Sequence, residues 1–260
     1  MPDMEIKDYN NKINKILYVV GIGPGKESGI TGEVREILDM CDNWYGYPVY
    51  MDLLKDLDKN NSKNKITTKM GYEKERCEMA LQSARDGKKT VLICGGDAGV
   101  YALAGLILEL SEKYLDVEIE ILPGVTAATA GAAILGAPLG NDFCVISLSD
   151  ILTPWEKIEK RLRYAAAGGF AICLYNPASR KRPDYLKRAC DILLEILERN
   201  IICGWVRNIG RTGETSRICT LGELREESAD MFTTVFIGVR ETKIIRGRMV
   251  TPRGYNNKIY

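Results

Sequence analysis

The stretch ILYVVGIGPGKESG, Ile16 to Gly29, joins a short apolar run to a turn crowded with glycine. Aliphatic and aromatic residues over 16–20 fit a strand, and the glycines after them fit a tight turn at its carboxyl end, where open α/β sheets hold their ligands. Two phosphate-binding motifs can be tested by counting. A dinucleotide fingerprint, G-x-G-x-x-G from Gly21 and Gly23, needs glycine where Lys26 stands; a P-loop needs glycine where Val20 stands and Ser or Thr where Glu27 stands. The turn is therefore expected to face a ligand without gripping phosphate.

Working outward, β-rich apolar runs recur at 15–20, 90–94, 117–122, 143–148, 170–175, 204–209 and 233–239. Between them, EVREILDMC (33–41), YEKERCEMALQSARDG (72–87) and PDYLKRACDILLEILERN (183–200) carry helical spacing, with Pro183 suited to a first helical turn. Alternating strand and helix is the pattern of an α/β fold. The segment LPGVTAATAGAAILGAPLG, 122–140, is almost free of charge and rich in Ala and Gly. It fits either a buried helix lining a cleft or a plain close contact between helices. A break near Pro123 then gives a polar disordered tail over 1–14, an N-terminal α/β domain over 15–122 and a C-terminal α/β domain over 123–260. A second glycine turn, ICGGDAGVYALAG (93–105), also follows an apolar run. Gly95 and Gly96 would let a ligand lie against bare backbone, and Asp97 offers a carboxylate suited to a cation or a ribose hydroxyl, or to a helix N-cap.

Composition narrows the chemistry. At 260 residues and 45% hydrophobic content the chain can bury a large core, and no apolar run reaches the roughly 18 residues of a membrane span. The polar start lacks a secretory apolar centre, so a cytoplasmic location is expected. Eight scattered cysteines without a C-x-x-C pair read as packing residues, and the absence of histidine excludes histidine triads and leaves no metal site expected. With 36 basic and 35 acidic residues there is no overall field to draw in nucleic acid. Two glycine turns, a small-residue segment and an acid suit S-adenosylmethionine, which has no phosphate and carries a positive sulfonium. Methyl transfer asks mainly for alignment, worth about 7 kcal/mol at the low end of intramolecular models, and needs no histidine.

In its motifs the chain resembles the tetrapyrrole methylase family, and within it the ring-contracting branch that methylates C17 of precorrin-3B or cobalt-factor III. LYVVGIGPG and GGDAGVYALAG carry the family resemblance; GAPLGNDFCVISLSDILTPW, LYNPASRKRP and TPRGY carry the branch. The resemblance implies two α/β domains with a cofactor cleft between them, a homodimer, and methylation coupled to loss of the C20 bridge carbon. It implies S-adenosylmethionine contacts at Pro24, Gly95, Gly96, Asp97, Val100, Thr126, Ala127, Asn176 and Gly210. Substrate carboxylates are expected to meet Arg180, Lys181, Arg182, Arg211 and Arg253. One departure is Asn141, in GNDF, where the branch pattern implies histidine; Asn has no protonatable nitrogen. Asp142, Ser147, Ser149 and Asp150 remain as polar groups, with Asp150 the candidate proton acceptor. Gly96→Val is expected to abolish cofactor binding and spare the fold. Rival readings are a methylase of the same fold acting on another corrin carbon, a protein or an RNA base; a non-catalytic binder of tetrapyrrole or cofactor; and a nicotinamide-dependent dehydrogenase, disfavoured by Lys26.

Overall fold

The structure, a computed structural model, describes residues 15–255, so the tail expected over 1–14 lies outside the described residues. The described residues divide into two compact units: those up to Gly23 with Ile30–Gly124, and Pro24–Gly29 with those from Val125 onward. The six residues Pro24–Gly29 of the opening turn thus pack with the second unit.

In the first unit the order is β1 (Ile16–Gly21), α1 (Gly32–Met40), β2 (Asn43–Gly46), α2 (Pro48–Leu53), β3 (Asn64–Thr67), α3 (Glu73–Arg85), β4 (Thr90–Cys94), α4 (Ala104–Ser111) and β5 (Glu118–Leu122). The strands form one sheet in the order β3-β2-β4-β1-β5, every neighbouring pair parallel. Alternation along the strands sends Leu17, Val19, Leu92 and Cys94 toward α3 and α4, and Val20, Val91 and Ile93 toward α1 and α2. A parallel strand covered on both faces should be apolar throughout, and β4, TVLIC, is buried at all five positions. β1 and β4 are neighbours whose following connections leave in opposite directions, β1 toward β2 and β4 toward β5. Their carboxyl ends are therefore the switch point of the sheet, the place where such folds leave a crevice.

The second unit runs α5 (Ala127–Leu135), β6 (Gly136–Ala137), β7 (Phe143–Ser147), α6 (Trp155–Ala167), β8 (Ala171–Tyr175), α7 (Tyr185–Leu194), β9 (Ile202–Arg207), β10 (Thr215–Thr220), α8 (Leu221–Leu224), β11 (Thr233–Ile237), β12 (Lys243–Ile245) and β13 (Arg248–Val250). Its main sheet has the order β10-β9-β11-β8-β7, with β7 and β8 parallel and the other pairs antiparallel. One face packs on α6, α7 and α8; the other takes α5 and Met249 of the small β12-β13-β6 sheet.

Two readings of the sequence need correcting here. The small-residue helix α5 makes its close contact with a sheet rather than a helix: a Cβ on Gly131 would stand 2.9 Å from the Phe236 ring and 3.0 Å from Ile209 Cδ1. Pro183 lies outside the first helical turn, because Asp184 is the N-cap of α7 and the turn closed by Ser179 and Arg182 ends just before the proline. Seven of the eight cysteines are buried and Cys144 is half-buried; burial pushes Cys41, Cys77, Cys190 and Cys219 up to about 12, which keeps these thiols protonated and inert. Among the described residues, no helix is long and apolar enough to cross a membrane.

Candidate functional site

At the switch point of the first unit, glycine is required because three backbones meet. Gly23 and Gly96, with φ of +74° and +70°, exchange two hydrogen bonds: Gly23 N–H to Gly96 O at 3.0 Å, and Gly96 N–H to Gly23 O at 2.8 Å. A Cβ on Gly21 would fall 2.5 Å from Gly96 O, and one on Gly124, just after β5, would fall 2.2 Å from the same oxygen. Gly95 seats against the Tyr50 ring, where a Cβ would come within 2.4 Å. Asp97 caps no helix, since α4 begins only at Ala104 with Leu103 as its cap. Its Oδ1 instead accepts from Gly99 N–H at 2.8 Å and its Oδ2 from Gly124 N–H at 2.9 Å, tying the ends of β4 and β5 together. Gly95, Gly96, Asp97 and Val100 are half-buried, so the loop retains access to solvent. Tyr101 completes it with an exposed ring on a left-handed backbone, φ +53°, a conformation rare for a bulky residue.

This donor set decides what the loop can hold. Positions 90–112 carry no lysine or arginine, and no helix starts at the turn, so nothing there suits a phosphate. Bare peptide groups and a carboxylate with lone pairs still open suit a ligand that offers hydroxyls, amino groups or a cation.

In the second unit the opening turn meets the loop after β9. A Cβ on Gly25 would lie 2.6 Å from both Arg211 Cγ and Gly210 O, and Arg211 Nε donates to Pro24 O at 3.0 Å. Gly210 itself has φ +68°, and its N–H donates to Glu214 Oε2 at 2.7 Å. A second group forms where β7 and β8 end. Thr126 is the N-cap residue of α5, but its side chain makes no cap bond; Tyr175 takes over, its phenol oxygen accepting from Ala128 N–H at 2.7 Å and lying 2.5 Å from Thr126 Oγ1. Thr126 and Ala127 are thereby fixed against the end of β8, while Asn176, at φ +53°, donates through Nδ2 to Ser147 Oγ at 2.9 Å.

Beside these lies Asp150, with both oxygens engaged. Tyr185 donates its phenol hydrogen to Oδ2 at 2.5 Å, and Arg182 Nε stands 2.5 Å from Oδ1. The hydrogen bond to Asp150, followed by burial, raises Tyr185 above the ordinary phenol range, so it remains a donor. Arg180 and Lys181 are exposed, whereas Arg182 is half-buried. Arg253 is exposed beyond β13, in a segment anchored by Thr251, whose hydroxyl donates to Pro138 O at 2.7 Å.

One grouping made from the sequence does not hold. Asp142 and Asn141 precede β7, whereas Ser147 is its last paired residue and Ser149 and Asp150 follow it, a strand length of about 15 Å away. The position where histidine was expected is thus at the opposite end of the strand from the polar cluster. Conversely, Tyr175, Tyr185, Gly124 and Tyr50 were not singled out. Tyr175 and Tyr185 sit at apolar positions of a strand and a helix, and pattern alone does not reveal that their hydroxyls are used.

A family model described as tetrapyrrole (corrin/porphyrin) methylases matches residues 16–225. A probable cobalt-factor III C(17)-methyltransferase of Salmonella typhimurium is 45% identical over 241 residues, covering 92% of this chain and 99% of its own. A precorrin-3B C(17)-methyltransferase of Sinorhizobium is 41% identical, covering 92% of this chain and 96% of its own. Among solved structures, the methyltransferase CobJ is similar with a TM-score of 0.83 at 36% identity, over 91% of this chain and 99% of that one. A uroporphyrin-III C-methyl transferase from Thermus thermophilus, complexed with S-adenyl homocysteine, shares the fold at a TM-score of 0.67 and 19% identity, over 85% of this chain and 96% of that one.

Proposed function

From the fact that this chain belongs to the tetrapyrrole methylase family, we propose that it transfers a methyl group from S-adenosylmethionine to C17 of precorrin-3B or cobalt-factor III and contracts the ring in the same reaction. The observation that carries this reading is the 45% identity to a relative matched over 99% of its length, so that no large part of that relative lacks a counterpart here.

When bound, S-adenosylmethionine supplies an electrophilic methyl group on a sulfonium. The loop Gly95–Asp97 would hold its hydroxyl and amino groups through peptide carbonyls and the Asp97 carboxylate, with Val100 providing apolar contact. Pro24, Thr126, Ala127, Asn176 and Gly210 complete the proposed cofactor contacts. What supports them is that four of the five are held in place by named partners, Pro24 by Arg211, Thr126 by Tyr175, Asn176 by Ser147 and Gly210 by Glu214, and that Ala127 is the first residue of α5, next to Thr126. Arg180, Lys181, Arg182, Arg211 and Arg253 would meet the substrate carboxylates. Of two tasks open to Asp150, taking a proton or holding Arg182, its contacts favour the second. The reading includes a homodimer in the cytoplasm, which gel filtration and fractionation address.

The test is a pair of titrations and an assay. S-adenosylhomocysteine is expected to bind the purified protein while NAD does not, and methyl transfer is expected to one of the two tetrapyrroles. Binding of NAD in preference, or tight S-adenosylhomocysteine binding with no transfer to either tetrapyrrole, would contradict the reading.

A further inference from the structure

Behind the basic turn, Tyr185 and the groups packed on its ring have no task in the proposed chemistry. Tyr185 opens α7 with its ring almost fully buried, 4.6 Å from the Trp155 ring that opens α6. The Arg188 guanidinium lies 4.0 Å over Trp155 and 5.0 Å over Tyr185, so the phenol is held from two sides. Its hydroxyl grips Asp150 Oδ2, the other carboxylate oxygen is shielded from solvent, and Arg182 closes on that oxygen. Arg182 is also the closing residue of a tight turn: Ser179 N–H donates to Arg182 O at 3.1 Å, and Arg182 N–H to Ser179 O at 3.0 Å. Arg180 and Lys181 are its exposed tip.

We propose that Tyr185 is a positioning residue for substrate: through Asp150 and Arg182 it fixes the 179–182 turn, so that Arg180 and Lys181 stand ready for the carboxylates of the tetrapyrrole. This rests on the functional reading above. Two long cations on a loose turn must be ordered when the substrate arrives, and ordering each such side chain costs affinity. A turn clamped at its base by a half-buried carboxylate, whose Oδ1 is shielded from solvent, has lost much of that freedom beforehand. A phenylalanine would keep the tilted ring contact with Trp155 and remove only the grip on Asp150. Neither Tyr185 nor Asp150 need touch the reacting atoms for this.

The experiment compares wild type, Tyr185→Phe, an Arg180→Gln/Lys181→Gln variant and all three changes together. It reads the corrinoid Kd with S-adenosylhomocysteine present, the S-adenosylhomocysteine Kd, and the single-turnover rate at saturating substrate. Tyr185→Phe is expected to weaken corrinoid binding about tenfold, the factor carried by one hydrogen bond to a charged group, with cofactor affinity and saturated rate nearly unchanged. In the Arg180→Gln/Lys181→Gln background the same change is expected to have little further effect, because the turn through which it acts has lost its charges. A fall in rate at unchanged Kd, or a lower melting temperature with both constants unchanged, would overturn the proposal. If Tyr185→Phe does not fold, the exposed pair carries the test, and unchanged corrinoid binding in Arg180→Gln/Lys181→Gln overturns it. Absence of methyl transfer by the wild-type protein would instead overturn the functional reading, and the proposal with it.

Discussion

At Gly96 a side chain would meet two penalties at once. The residue sits at φ +70°, where a Cβ costs roughly 1–2 kcal/mol, and both its peptide groups are bonded to Gly23. Gly96→Val is therefore expected to lower the melting temperature as well as the affinity for S-adenosylhomocysteine, which corrects the expectation that it would spare the fold. Gly96→Ala should show the same pair of losses in smaller measure; a thermal melt unchanged in both variants would show that the Gly23–Gly96 pairing does not matter. The glycines were visible in the sequence, but not the reason for them. That reason is the convergence of residues 21, 96 and 124, which only the sheet order brings together. The carboxylate at 97 was equally visible, yet its partner Gly124 is 27 positions away.

Elements were legible where burial on both faces made them apolar, as in β4 and β11, and obscure where pairing alone defines them. Four-residue β2 and β3 and the two-residue β6 are too short for a periodic signal, and β10, exposed over its first three residues, has no apolar stripe to show. The connection from α2 to β3 shows how such an element is kept. Asp58, almost wholly buried, accepts from Ser62 N–H at 2.8 Å and pairs with Lys65 Nζ at 2.7 Å. Burial works to raise this carboxyl, and the bonds from Lys65 and Ser62 outweigh it, leaving it below the ordinary range. A depressed native pKa stabilises the fold above the unfolded value, near 3.9 for Asp, and that contribution is lost as pH falls through the native one. Asp58→Ala is expected to cost about 2 kcal/mol at neutral pH, and to lose less stability than wild type on acidification below about pH 4. Parallel acid limbs for the two proteins would mean that Asp58 carries none of this dependence.

Over the whole molecule, the alternation of strand and helix already pointed to an α/β chain, but two properties depend on tertiary structure. The first unit's sheet is wholly parallel whereas the second's is mostly antiparallel, and the opening turn is shared, with Gly21 and Gly23 in one unit and Pro24 and Gly25 in the other. Local sequence does not encode either, because both follow from which distant segments pair. The missing histidine likewise gains meaning only from topology, since position 141 lies at the amino end of β7 and the polar cluster at its carboxyl end. The most direct measurement is a single turnover of the wild-type protein with cobalt-factor III or precorrin-3B and S-adenosylmethionine isotopically labelled in its methyl group. The account predicts one labelled methyl at C17 of a contracted macrocycle; label retained on the cofactor, or placed on a different ring carbon, would contradict it.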